Sequence, residues 1–251
     1  MGILKAFDFS MESDHEADTN EEYTSASVKK ADLPSSFTVC SAFSVESWST
    51  EFSNAQMFAL LDSTGNYWAF LELYAAEGHT EFWAKAGDVT LTVKTEVKFF
   101  PLKWSMVCLA LDFNLYLMQV VVDGKLLGEK QGFTKQEIGT VPEHFSLLIG
   151  IDNMMDENTG RTTNLNVFSS VLSVDRMEGM TRSGGEDCGE AGDYLSWEEV
   201  LILAKLHSQA KIVDLDALEG PCRKQSEVQV FTASFDHHHW SDSFINLTKY
   251  I

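Results

Sequence analysis

With 38 acidic against 18 basic residues, this 251-residue chain carries a formal net charge of −20. Such a field repels phosphate backbones and anionic lipid headgroups, which sets nucleic acid and membrane surfaces aside and leaves cations, basic protein surfaces and neutral sugars as admissible partners. Hydrophobic residues at 44% and aromatics at 12% supply a packed core for one all-β domain of ordinary size, and exclude disorder for the bulk of the chain.

Leu4 to Phe9 reads as an early strand, followed by a solvated, acid-rich connection as far as Phe37. From there to Ile151 nearly every segment is strand-like: Phe37–Ser44, Gln56–Asp62, Trp68–Ala75, Glu81–Ala86, Thr90–Val97, Trp104–Asp112, Leu117–Val122 and Phe145–Ile149. Turn chemistry separates them at Ser63-Thr64-Gly65-Asn66, Glu77-Gly78-His79, Ala86-Gly87-Asp88 and Asp123-Gly124. The last lies between Val120-Val121-Val122 and Lys125-Leu126-Leu127, a strong hairpin signal because both turn residues must take positive φ. Leu165–Val171 supplies a further strand, and Ser173 caps one short helix. Beyond it, Ser196 and Glu199 offer a capping box for a second helix. The apolar run Val200–Leu206 reads equally well as a buried strand, and strand is the preferred reading. Many short strands with frequent turns and almost no helix indicate a sandwich or barrel.

Cys40 and Cys108 sit in matching strand contexts, Phe37-Thr38-Val39-Cys40 and Met106-Val107-Cys108-Leu109. Paired, they staple strands distant in sequence, and a closed loop of about 68 residues is worth about 4 kcal/mol by chain entropy. Unpaired, they are two buried thiols of a reduced sheet. A disulfide implies an oxidising, extracellular compartment. The N-terminus has no apolar stretch long enough for a signal peptide, so that reading requires a mature form or a piece of a longer product. No segment approaches the roughly 20 apolar residues of a membrane span. Cys188 and Cys222 lie in loop contexts beside Gly189 and Gly220-Pro221, which suits a second disulfide.

Taken in order, these pieces resemble the pentraxin and laminin G-like family of concanavalin-type jelly rolls. The resemblance runs from Lys5 to about Cys222. It rests on Lys5-Ala6-Phe7-Asp8-Phe9, on the two cysteine-bearing strands, on Val122-Asp123-Gly124 and on Leu148-Ile149-Gly150. Asn164-Leu165-Asn166-Val167-Phe168 with Val171-Leu172-Ser173, and Leu195-Ser196-Trp197, complete it. It implies a two-sheet antiparallel jelly-roll sandwich with one short helix over residues 1–222, and leaves 223–251 as an extension or the start of another module. It also implies calcium-dependent recognition of a carbohydrate or phospho-headgroup ligand, with ring-forming oligomers among its members. Calcium needs six to eight oxygens. Carried over, the site is Asn66, Asp152, Asn153, Asp156 and Glu157, with Gly65 and Met154 standing where the family has acids.

Other motifs carry less. Glu12-Ser13-Asp14-His15-Glu16 would place three acids on one strand face, as a retaining jelly-roll glycosidase requires, yet nothing around it promises a raised pKa. Asp236-His237-His238-His239 offers imidazoles to a metal, but consecutive strand residues point to opposite faces. Trp48, Trp68, Trp83, Tyr67 and Tyr74 offer a sugar-stacking platform, and the sequence does not say which of them are exposed. Asn246-Leu247-Thr248 is a glycosylation sequon. The expectation is an extracellular, non-enzymatic domain recognising glycans or polar headgroups. A metal-independent laminin G-like interaction module and a jelly-roll glycoside hydrolase are the alternatives.

Overall fold

The computed structural model describes residues 4–9, 25–31, 34–47, 54–76, 79–95, 103–150, 159–182, 188, 190–207, 210–215 and 220–222, and the structural statements below concern these. In chain order they form β1 (Leu4–Asp8), β2 (Ser25–Ala31), β3 (Ser36–Ser47), β4 (Asn54–Leu61), β5 (Tyr67–Ala76), β6 (His79–Ala86) and β7 (Val89–Thr95). Next come β8 (Trp104–Asp112), β9 (Leu117–Val122), β10 (Lys125–Gln131), α1 (Lys135–Ile138), β11 (His144–Ile149) and β12 (Thr159–Phe168). The last elements are α2 (Val174–Thr181), α3 (Trp197–Leu203), β13 (Lys205–His207) and β14 (Lys211–Leu215).

The strands make two antiparallel seven-stranded sheets, ordered β10-β9-β8-β3-β12-β1-β14 and β13-β2-β11-β4-β5-β6-β7. Alternation along each strand sends one set of side chains between the sheets. Phe7, Phe37, Leu109 and Leu111 from the first sheet and Phe58, Leu71, Phe82 and Leu147 from the second are fully buried there. Each such side chain contributes about 1.5–3 kcal/mol relative to exposure. Along one side the sheets meet where β10 crosses β7. A Cβ on Gly128 would lie 2.4 Å from Val93 Cγ2, so any larger residue there requires Val93 to shift.

Local chemistry sets the connections. Asp123 and Gly124 take φ of 46° and 76°, the backbone of the expected hairpin turn between β9 and β10. Asp123 Oδ1 accepts the Met106 N–H at 2.8 Å, tying that turn to β8. Ser173 caps α2 by accepting the Arg176 N–H. α2 then lies on the face of the first sheet turned away from the main core, where Met177, Met180, Phe168 and Leu172 pack on Cys40, Cys108, Ala110 and Val121.

Both cysteine pairs are disulfides. Cys40 and Cys108 stand directly opposite each other on β3 and β8 with Cα atoms 4.1 Å apart, and Cys188 pairs with Cys222 across 34 residues.

Four expectations need correction. The connection between β1 and Phe37 contains β2, an interior strand of the second sheet with Ala26 and Val28 buried. Residues 197–203 are helical, because Ser196 and Glu199 form the capping box and Ile202 is 81% exposed, so the apolar run is not a buried strand. The strand expected at Leu165–Val171 runs Thr159–Phe168 instead, since Ser169 and Ser170 bend the chain toward α2. Three short helices rather than one occur among the described residues; α1 arises from a capping box of Thr134 with Glu137. Cys222 closes the described residues, and the extension 223–251 lies outside them.

Candidate functional site

The side chains of the second sheet that point away from the core fall into rows across β4, β5, β6 and β7. Phe82, Ala84 and Ala86 belong to the core, so alternation forces Glu81, Trp83 and Lys85 of β6 outward. Registers align Tyr74, Glu81 and Lys94 in one row, Gln56, Glu72, Trp83 and Thr92 in the next, and Phe70, Lys85 and Thr90 in a third. Neighbours within a row are about 4.8 Å apart and rows are about 7 Å apart.

Trp83 is the centre of this face. It is 37% exposed, its indole Nε1 donates to Glu81 Oε2 at 2.8 Å, and the Tyr74 ring lies 5.3 Å away at 32°. The hydrogen bond and the ring contact hold the indole in one orientation while leaving part of it open. Glu81 is buried and lies 3.6 Å from Lys94 Nζ. Lys85 sits over the Phe70 ring at 5.9 Å. Two carboxylates and two ammonium groups leave the three rows without net charge, unlike the chain as a whole. Gln56 is buried at 3% exposure, and its Oε1 has no hydrogen-bond partner.

A concavity of about 660 Å³ opens elsewhere, at the β4–β5 turn, between Asp62, Ser63, Thr64 and Gly65 on one side and Lys29, His144 and Ser146 on the other. Asp62 Oδ1 accepts the Thr64 hydroxyl at 2.6 Å and the Thr64 and Asn66 N–H groups at 2.8 and 2.9 Å. The Thr64 hydroxyl first, and then the Asn66 N–H, hold this carboxyl below its ordinary 3.8. Asn66 Nδ2 donates to Thr64 Oγ1 at 2.7 Å. Asp62 thus supplies an acid close to Gly65, but its hydrogen bonds shape the turn itself.

Of the residues expected to hold calcium, Asn66 lies on this turn, while Asp152, Asn153, Asp156 and Glu157 fall outside the described residues. β11 runs antiparallel to β4, with Ser146 opposite Leu61 and Ile149 opposite Phe58. The turn carrying Asn66 therefore borders the start of β11, and Gly150 leaves its far end. No group of three or more His, Cys, Asp or Glu side chains is arranged to hold a metal among the described residues. Asn246, the Glu12–Glu16 acids, the histidines at 237–239 and Trp48 also lie outside them.

Among the expected aromatics, Trp68 is a core residue, Tyr67 is 41% exposed on the turn side of β5, and Trp83 lies beside Tyr74 on the outward face. Gln56, Glu72, Glu81, Lys85 and Lys94 escaped sequence reasoning. The flanking Phe82 and Ala84 signal the outward turn of Trp83, whereas its cross-strand neighbours depend on register.

No protein-family model matches the chain, and no curated protein matches it by sequence. Solved structures do match it in shape. A native heptameric SAP-like pentraxin from Limulus polyphemus superposes with a TM-score of 0.65 at 14% identity, over 84% of this chain and 95% of that one. The full extracellular region of zebrafish Gpr126/Adgrg6 gives 0.51 at 11% identity, over 85% of this chain and 26% of that one. These likenesses establish the fold as a pentraxin-type jelly roll.

Proposed function

We propose that this domain is an extracellular, non-enzymatic recognition module that binds glycans on the outward face of its second sheet. The observation that carries this reading is Trp83, an indole fixed by Glu81 and Tyr74 and left open where no core packing requires it. Aromatic faces stack on the apolar faces of sugars, and neighbouring carboxylates accept hydroxyl hydrogen bonds. The two disulfides support an oxidising compartment. The test is a glycan panel read with wild type and Trp83→Ala. Loss of an anchoring aromatic should weaken binding by about 2 kcal/mol, roughly thirtyfold. A panel without a ligand would remove the reading.

Calcium dependence through Asn66, Asp152, Asn153, Asp156 and Glu157 belongs to the same proposal. Millimolar Ca²⁺ added after EDTA should raise Tm by several degrees if it binds at about 100 times its Kd, and Asp152→Ala should abolish the rise. A flat melt would make recognition metal-independent.

The alternative, a protein-interaction module, draws on a different surface. Ile202 and Leu203 at the end of α3 and Leu206 on the edge strand β13 are exposed apolar side chains close together in sequence. Ile202→Asp would impair that function and leave Trp83-dependent binding intact.

A further inference from the structure

Which class of sugar the platform takes follows from the groups beside Trp83. We infer that the row Gln56–Glu72–Trp83, with Glu81 beside it, is a subsite for an uncharged pyranose presenting hydroxyl donors, and that it discriminates against sialylated and sulfated sugars. The inference rests on the glycan-binding reading above and deepens it.

Three observations converge. First, two acceptors lie along the row, the Glu72 carboxylate and the Gln56 amide oxygen, while Glu81 in the neighbouring row accepts the indole N–H and holds Trp83 in place. A neutral sugar edge offers the matching hydroxyl donors. Second, the cations do not form an anion clamp. Lys94 lies against Glu81, Lys85 lies over Phe70, and the rows carry no net charge to offset the repulsion of a −20 chain. Third, Gln56 is a polar side chain buried without a partner for its oxygen, which costs the free protein stability unless a ligand satisfies it. Its oxygen is enclosed in the free protein, so meeting a ligand hydroxyl requires the side chain to rotate toward the neighbouring Glu72.

The third point yields a signature that a merely structural glutamine would not give. Gln56→Met keeps length and volume and removes the unpaired acceptor. Tm should rise by about 2–4 °C, while affinity for a neutral oligosaccharide falls about tenfold.

The experiment compares wild type, Gln56→Met and Trp83→Ala in calorimetric titrations with a neutral oligosaccharide and with its sialylated and sulfated forms, alongside melts. Neutral binding well above the acidic forms, weakened by Gln56→Met with a raised Tm, is the expected result. Sialylated or sulfated sugars bound as tightly as neutral ones, still through Trp83, would overturn this inference and leave the glycan reading standing. Gln56→Met with lowered Tm and unchanged affinity would make Gln56 structural and overturn it too. No binding of any sugar would remove both.

Discussion

On the first sheet the face turned away from the core presents Cys40, Cys108, Ala110 and Val121, and α2 lays Met177 and Met180 over them. On the second sheet the corresponding face presents Glu72, Tyr74, Glu81, Trp83 and Lys85, and Trp83 remains 37% exposed. Both faces come from the same period-two alternation. Side-chain size and polarity separate them: alanine, valine and a disulfide let a helix approach closely and bury an apolar patch, whereas an indole, a phenol and paired charges do not. A face closed by a helix contributes stability. A face that keeps a fixed aromatic open to solvent forgoes its burial, and the proposed glycan binding would give that residue a use.

The largest expected effect lies on the covered face. Replacing Cys40 and Cys108 together by alanine should cost about 4 kcal/mol, from the chain entropy released by the 68-residue separation. At about 2–4 °C per kcal/mol, Tm should fall by roughly 8–16 °C. Glycan affinity of the folded variant should stay within about twofold, because the second sheet touches neither cysteine. A folded variant without glycan binding would break the separation of the two faces. Trp83→Ala is the mirror case, with a large loss of affinity for a stability cost of about 1 kcal/mol.

How far each face was legible in the sequence follows the same division. Dense apolar alternation marked β3 and β8, and the two cysteines in matching contexts gave their pairing before any register was known. Asp123-Gly124 announced its hairpin through its φ requirement, and Ser173 announced α2. β2 escaped because the buried Ala26 and Val28 are small and stand among serines and lysines, so its alternation is faint in hydropathy. α3 was misread because four consecutive aliphatics outweighed the capping box of Ser196 and Glu199. At the candidate site, Trp83 was visible as one of five aromatics. Its separation from Trp68 depends on which strand face each occupies, and Gln56 becomes its companion only through cross-strand registers that no local pattern encodes.

The smallest effect sharpens the comparison through pH. Where the chain leaves β12 toward α2, Asp193 accepts the Ser169 hydroxyl at 2.6 Å and the Ser169 N–H at 2.8 Å. The hydroxyl first, and then the N–H, hold its carboxyl below the ordinary 3.8. A depressed folded-state value means that the unfolded chain binds the proton more readily. The contribution is therefore fully present above the unfolded value and is lost as pH falls through the folded one. Asp62 and Glu137 act with the same sign through their own turn and cap. Because Asp193 is exposed, screening keeps its share to no more than about 1 kcal/mol. Urea midpoints at about pH 6 and about pH 3.5 should differ less in Asp193→Asn than in wild type, with the variant the weaker at pH 6. Hydrogen exchange at the lower pH should show protection falling at Ser169 and along α2 before it falls along β6. If β6 opened first, the platform rather than the helix-covered face would be the less secure half of the sandwich, and the fixed indole would lose the preorganisation on which the binding reading depends.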